Sequence, residues 1–219
     1  SHVVGVRIDG GLHLRNSPNH NIEVDSCHGV RVDNIDIRAP HKSPNTDGIN
    51  FYGGHDQSFT NSYVSNGDDC VSVVPINEFA PECVNSDARQ KMCRGGNVIV
   101  RNISCIGGHG ISIGGVRHGT VSNVSFTNMT ATGGDGDTQG KYSGGGLRVK
   151  SYPNGTGSVY DILYEDILLD DVYLPLQLLG RYCPWPCNTP DGNQSVAFHD
   201  ITFRRIRGHG RSDAQANFD

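Results

Sequence analysis

Short runs of alternating apolar and polar residues dominate this chain. Val4-Val6-Ile8, Leu12-Leu14, Ile22-Val24, Val30-Val32 and Ile35-Ile37 open it, with Gly, Asn and Asp between the runs. A period of two sends successive side chains to opposite faces, so each run predicts a short strand with one buried face. The pattern returns as Val98-Val100-Ile103, Val121-Val124-Phe126, Val159-Ile162-Tyr164-Ile167 and Val196-Phe198-Ile201-Phe203. Equivalent strands recur about every 22 to 27 residues, or about 40 where loops intrude, which is the repeat of a solenoid whose units bury their apolar faces on one another.

A helical solenoid would need apolar residues three and four apart over a dozen positions, and a β-sandwich would need hairpin turns of the Asn-Gly kind. Few junctions here provide either. The expected fold is therefore all-β, a right-handed parallel β-helix forming a single domain over 1–219, with a sandwich as second choice. Because the chain starts inside a strand pattern, a helix truncated at its N-terminus is expected.

In four segments a polar cluster leads into a short apolar strand: Asn45-Thr46-Asp47-Gly48-Ile49, Gly67-Asp68-Asp69-Cys70-Val71, Gly108-His109-Gly110-Ile111 and Gly146-Leu147-Arg148-Val149-Lys150. Aligned on Ile49, Val71, Ile111 and Leu147, they place Asp47, Asp69 and His109 two residues before the apolar position and Asp68 three before it. Asn50, Ser72, Ser112 and Arg148 fall one after. If these segments stack as parallel strands about 4.8 Å apart, three aspartates and a histidine form one patch, with Arg148 and Lys150 beside it.

Composition changes this picture only at its margins. The chain has 29 Gly and 35% hydrophobic residues, which favours strands and turns over a helical bundle. The net charge of -5 gives no reason to expect a nucleic-acid partner, and Arg204, Arg205 and Arg207 read as a solvated strand face. No apolar run approaches the roughly 20 residues that span a membrane. Seven Cys and the sequons at Asn102, Asn123, Asn128, Asn154 and Asn193 suggest a secreted protein of the extracellular space or cell wall, expected as a monomer. Stacking predicts a Cys70–Cys105 bridge between neighbouring coils, Cys83–Cys93 within an insertion at 75–96, and Cys183–Cys187 around the Pro184-Trp185-Pro186 turn. Cys27 is left over, as a free thiol or with a partner elsewhere. The cysteines lack zinc-ligand spacing, and Asp135-Gly136-Asp137 in a second insertion at 131–146 lacks the downstream Glu of a Ca²⁺ loop, so no metal or cofactor is expected.

Asn45-Thr46-Asp47, Gly67-Asp68-Asp69, Gly108-His109-Gly110 and Arg148-Val149-Lys150, in this order and spacing, resemble the signature segments of the polygalacturonases, family 28 of the glycoside hydrolases. Ser43-Pro44 and Ile111-Ser112-Ile113-Gly114 extend the likeness. The resemblance implies a right-handed parallel β-helix that hydrolyses α-1,4-linked galacturonan with inversion. It implies Asp68 as general acid, Asp47 and Asp69 as activators of water, and His109 as support for the acid. Arg148 and Lys150 would hold a galacturonate carboxylate, Asn45 would orient the cluster, and Tyr164 would contact substrate. Gly67 stands where endo-acting fungal members usually have Gln, and Gly48 where they often have Ala, so exo action is slightly preferred.

The residue types suit that chemistry on their own terms. Inverting hydrolysis needs one protonated carboxyl and, about 6.5 to 9.5 Å away, a carboxylate that activates water. Three clustered aspartates cannot all ionise cheaply, so a proton is retained among them. Cations beside them suit an anionic sugar, which the resemblance implies is a pectic polysaccharide, and Arg binds carboxylate bidentately. Two other readings share the same residues: a Ca²⁺-dependent pectate lyase, with the aspartates as metal ligands, and a catalytically inactive β-helix that binds pectin. The nine histidines other than His109 are read as structural.

Overall fold

A computed structural model describes residues 3–75, 94–134, 144–183, 192–211 and 216–218, and all regular structure among them is strand. The strands join one 15-stranded sheet in which every pairing is parallel. The backbone coils so that each turn adds one rung to several stacks. One stack pairs Val32 with Phe59, Phe59 with Val100, Val100 with Phe126, Phe126 with Tyr164 and Tyr164 with Phe203. A second carries Ile37, Val64, Cys105, Ala131 and Leu169 in register. A third carries Ile22, Ile49, Val71, Ile111, Leu147 and Leu176. This is the expected parallel β-helix, and the third stack reproduces the alignment of the four motif segments.

Apolar rows on these stacks face one another and form a continuous core. Burying an aliphatic or aromatic side chain is worth about 1.5–3 kcal/mol, and here the gain repeats at every rung. Corners between stacks are single residues in the left-handed region. Asn34, Asn61, Asn102, Asn128, Asp166 and Arg205 occupy one corner, with φ between 51 and 58°. Asn and Asp tolerate that conformation better than other residues with a Cβ. Their side chains also stack: Asn102 donates Nδ2 to Asn61 Oδ1 at 2.8 Å, and Asn128 donates to Asn102 at 3.4 Å. Asn123 donates to Asn97 at 3.1 Å in the neighbouring corner. The predicted sequons at Asn102, Asn123 and Asn128 stand at corners of the coil.

Cys70 and Cys105 form a disulfide across 35 residues of chain, as expected. Cys27 is free and half-buried, and Cys183 is disulfide-bonded. Cys83, Cys93 and Cys187 lie outside the described residues, as do most of both insertions and Asn193 does not.

One assignment is corrected here. Tyr164 is fully buried between Phe126 and Phe203, with ring centroids 4.7 and 5.0 Å away. Its hydroxyl donates to the Arg148 carbonyl at 3.1 Å. It is a core residue and touches no cleft, because its register puts it on the inward side of the Phe126 row.

Candidate active site

The site lies where the third stack begins, at the turns that lead into Ile49–Tyr52, Asp69–Val74, Gly110–Thr132 and Gly145–Val172. Parallel pairing sets Ile49 beside Val71, Ile111 beside Val71, and Ile111 beside Leu147, so the polar residues ahead of these positions meet at one edge. Close approach makes this possible. A Cβ at Gly67 would stand 2.2 Å from the Ser43 carbonyl oxygen, so the turn before Asp68 admits only glycine while residues 41–43 lie against it.

Asp69 is 4% exposed and fully engaged. Lys150 Nζ donates to its Oδ2 at 2.7 Å, Ser112 Oγ donates to its Oδ1 at 2.6 Å, and Arg148 reaches the same Oδ1 at 3.4 Å. Asp68 is more open. Its Oδ1 lies 2.9 Å from His109 Nδ1 and accepts the Asp69 amide at 2.8 Å, while the Asn45 amide donates to Oδ2 at 3.3 Å. Asn45 thus acts on the cluster through its backbone, held at φ 54°.

Environment separates the aspartates. Burial, and then repulsion by Asp68 and Asp69, push Asp47 well above the usual carboxylate range, against the pull of Lys150. Burial also pushes Asp68 up, but the hydrogen bond and charge of His109, with Lys150 and the Asp69 amide, outweigh it and hold Asp68 well below that range. Asp47 therefore takes up a proton more readily than Asp68 in the unliganded cluster. Neighbouring titratable groups pushed apart in this way are what acid–base chemistry requires.

On the cation side, Arg148 and Lys150 sit under the ring of Tyr182, at 5.9 and 4.9 Å from its centroid, and Tyr152 meets Tyr182 edge-on. Arg148 Nε is buried with no hydrogen-bond partner among the described residues, a donor left over for an anion. Tyr182 is the aromatic residue at the site that sequence reasoning missed. It lies beyond the strand that carries Gln177, which pairs with Arg148 and continues the row Asn50, Ser72, Ser112 and Arg148.

Asp68, Asp69 and His109 bring ligand atoms within 4.8 Å of one another. The donor set does not suit Ca²⁺, which takes oxygen ligands, because an imidazole and the Lys150 ammonium occupy the positions a cation would need. A cavity of about 420 Å³ lined by Arg7, Arg31, Asp33, Asp56 and Thr60 lies on a different face and contains none of these groups.

Acid–base carboxylates gathered on one edge of a parallel solenoid, with cations alongside, mark this as a parallel β-helix protein with an acid–base site. The chain belongs to the glycosyl hydrolases family 28, whose sequence model matches residues 6–219. It is 30% identical over 209 residues to a polygalacturonase of Persea americana, covering 95% of this chain and 40% of that protein. It is 28% identical over 210 residues to an exopolygalacturonase of Zea mays, covering 94% of this chain and 45% of that one. Among solved structures, endopolygalacturonase I from Stereum purpureum, complexed with two galacturonate, shares its fold with a TM-score of 0.68 at 20% identity, over 99% of this chain and 66% of that one. A Yersinia enterocolitica family 28 exopolygalacturonase has a TM-score of 0.70 at 18% identity, over 99% of this chain and 36% of that one. The chain spans 34% to 45% of the length of the curated relatives it matches.

Proposed function

We propose that this chain carries the active site of a polygalacturonase, which hydrolyses α-1,4-galacturonosidic bonds of a pectic polysaccharide with inversion. The observation that carries this reading is the split cluster: Asp47 and Asp68 pushed in opposite directions beside an Asp69 locked by Lys150 and Ser112. Asp68 has the most exposed side chain of the three, at 19% against 11% for Asp47 and 5% for Asp69, and takes the role of general acid. Asp47 and Asp69 activate the water.

The acid must be protonated, whereas Asp68 is ionised in the empty site. Substrate resolves this. A galacturonate carboxylate arriving on Arg148 adds a negative charge beside the aspartates and weakens the pull of the cations on them, which raises the proton affinity of Asp68 as it binds. Tyr182 supports the sugar ring above those cations. Exo action is slightly preferred over endo, as the resemblance at Gly67 and Gly48 implies. Secretion to the cell wall follows from the same reading.

Digestion of a galacturonan oligomer of defined length tests it. Wild type should release β-configured galacturonate first, as seen by proton NMR, and monomer alone would mark exo action. Asp68→Asn should abolish release while leaving oligomer binding intact. Undiminished release by that variant would pass the acid role to Asp47, and an unsaturated product lost on chelation would overturn the hydrolase reading.

A further inference from the structure

His20 stands at the other end of the cluster from the cations. Its Nδ1 lies 2.7 Å from Glu23 Oε1, and its Nε2 lies 3.6 Å from Asp47 Oδ1. Tyr52 brings its hydroxyl to 3.4 Å from the same Nδ1. The imidazole is therefore clasped between two carboxylates, one facing each nitrogen.

The backbone fixes this geometry. The Asn21 amide donates to the Asp47 carbonyl at 2.9 Å, and the Asn21 side chain donates to the Thr46 and Asp47 carbonyls at 3.2 and 3.0 Å. The Ile22 amide donates to the Gly48 carbonyl at 3.2 Å. On the other side, the Ser17 hydroxyl donates to the His20 carbonyl at 3.1 Å and the His20 amide to Asn19 Oδ1 at 2.9 Å. His20 is thus tied to the very segment that carries Asp47.

We propose that His20 is a positioning residue for the hydrolysis: gripped by Glu23 through Nδ1, it presents Nε2 to Asp47 and holds that carboxyl oriented toward the water it activates. The inference rests on the polygalacturonase reading of the site. Asp47 needs such a partner. It faces two like charges, Asp68 and Asp69, and the described cation opposing them from the far side, Lys150, is already bonded to Asp69. The charged and titratable groups around His20 are Glu23 on its own segment, Tyr52 on the neighbouring strand, and Asp47.

The test has a readout that does not depend on turnover. The His20 imidazole is titrated by NMR in wild type, Asp47→Asn and Glu23→Gln. Each substitution removes an anion, so each should lower the pH at which His20 loses its proton by about one unit, a tenfold change in proton affinity. An unmoved titration in Asp47→Asn overturns the proposal, whether or not the protein releases sugar. Kinetics supply the second arm. His20→Gln should lower kcat, shift the acidic limb of kcat/KM to higher pH and leave KM for a galacturonan oligomer unchanged. A raised KM with an unmoved acidic limb would make His20 a substrate contact and overturn the proposal. Coupled titration in a wild-type protein that releases no sugar would instead overturn only the polygalacturonase reading.

Discussion

Lys150 Nζ lies 2.7 Å from Asp69 Oδ2, and both side chains are about 95% buried, at 4% and 5% exposed. A lysine in a site for an anionic sugar would be expected to wait in solvent for its ligand. This one is committed to holding a carboxylate, and the contact joins residues 81 positions apart in the sequence. Removing one partner of such a pair leaves a buried charge uncompensated, at a cost of about 3–5 kcal/mol. Lys150→Met should therefore lower stability by about that amount in urea unfolding and abolish activity, because Arg148 at 3.4 Å compensates Asp69 only in part. A variant of wild-type stability would show that the pair is not formed.

The opposite displacements of Asp47 and Asp68 predict opposite stability effects. Asp68 binds its proton less readily folded than unfolded, so its ionised form stabilises the fold above the ordinary carboxylate pKa of about 3.9, and that contribution disappears as pH falls through the lower folded value. Asp47 binds its proton more readily folded, so its ionised form destabilises the fold at neutral pH, and the penalty is absent below about pH 3.9. Asp47→Asn should raise the melting temperature at pH 7, with a benefit that fades toward pH 4. Asp68→Asn should lower it at pH 7. Melting curves across that range decide, and a stabilising Asp68→Asn would contradict the geometry.

Tyrosines 164 and 182 should separate cleanly. Tyr164→Ala should cost about 3–5 kcal/mol, the range for truncating a large core aromatic. Tyr164→Phe should cost about 1 kcal/mol by unpairing the Arg148 carbonyl, and should leave KM unchanged. Tyr182→Ala should raise KM for galacturonan oligomers with little effect on unfolding. Reversal of that pattern would restore Tyr164 as a substrate contact.

The Cys70–Cys105 bridge closes 35 residues of chain and abuts Asp69. Loop closure of that length is worth about 3–4 kcal/mol in the chain-entropy view. The double variant Cys70→Ala/Cys105→Ala should lose about that much in chemical unfolding. Loss of less than 1 kcal/mol would mean the stacked core already constrains this segment.

Gly67→Gln should be poorly tolerated, since its Cβ would enter the Ser43 carbonyl at 2.2 Å. A soluble variant with wild-type melting would show that residues 41–43 move aside. The resemblance to endo-acting members that carry Gln there makes this substitution a direct probe of chain-end preference, read in the products from a defined oligomer.

Much was legible in the chain itself because a solenoid is nearly one-dimensional. Each repeat contacts its neighbours alone, so strand period and motif spacing translate directly into stacking. Ile49, Val71, Ile111 and Leu147 could be aligned on paper, and their pairing in space is that alignment. Asp47, Asp68, Asp69 and His109 were thereby brought to one edge, and Cys70 to Cys105. The Asn corners are legible as residues, but the same letters also spell sequons, and sequence alone does not separate the two roles.

The sequence by itself determined the repeat, the all-strand coil and the identity of the polar cluster, because alternation and turn residues act over a few positions. Which way each side chain finally faced was decided by the tertiary structure. Tyr164 entered the core, Tyr182 came over the cations, Lys150 closed on Asp69 and His20 reached Asp47. These outcomes depend on distances between coils and on burial that sets one carboxylate's proton affinity against another's. Such quantities exist only once the rungs are stacked.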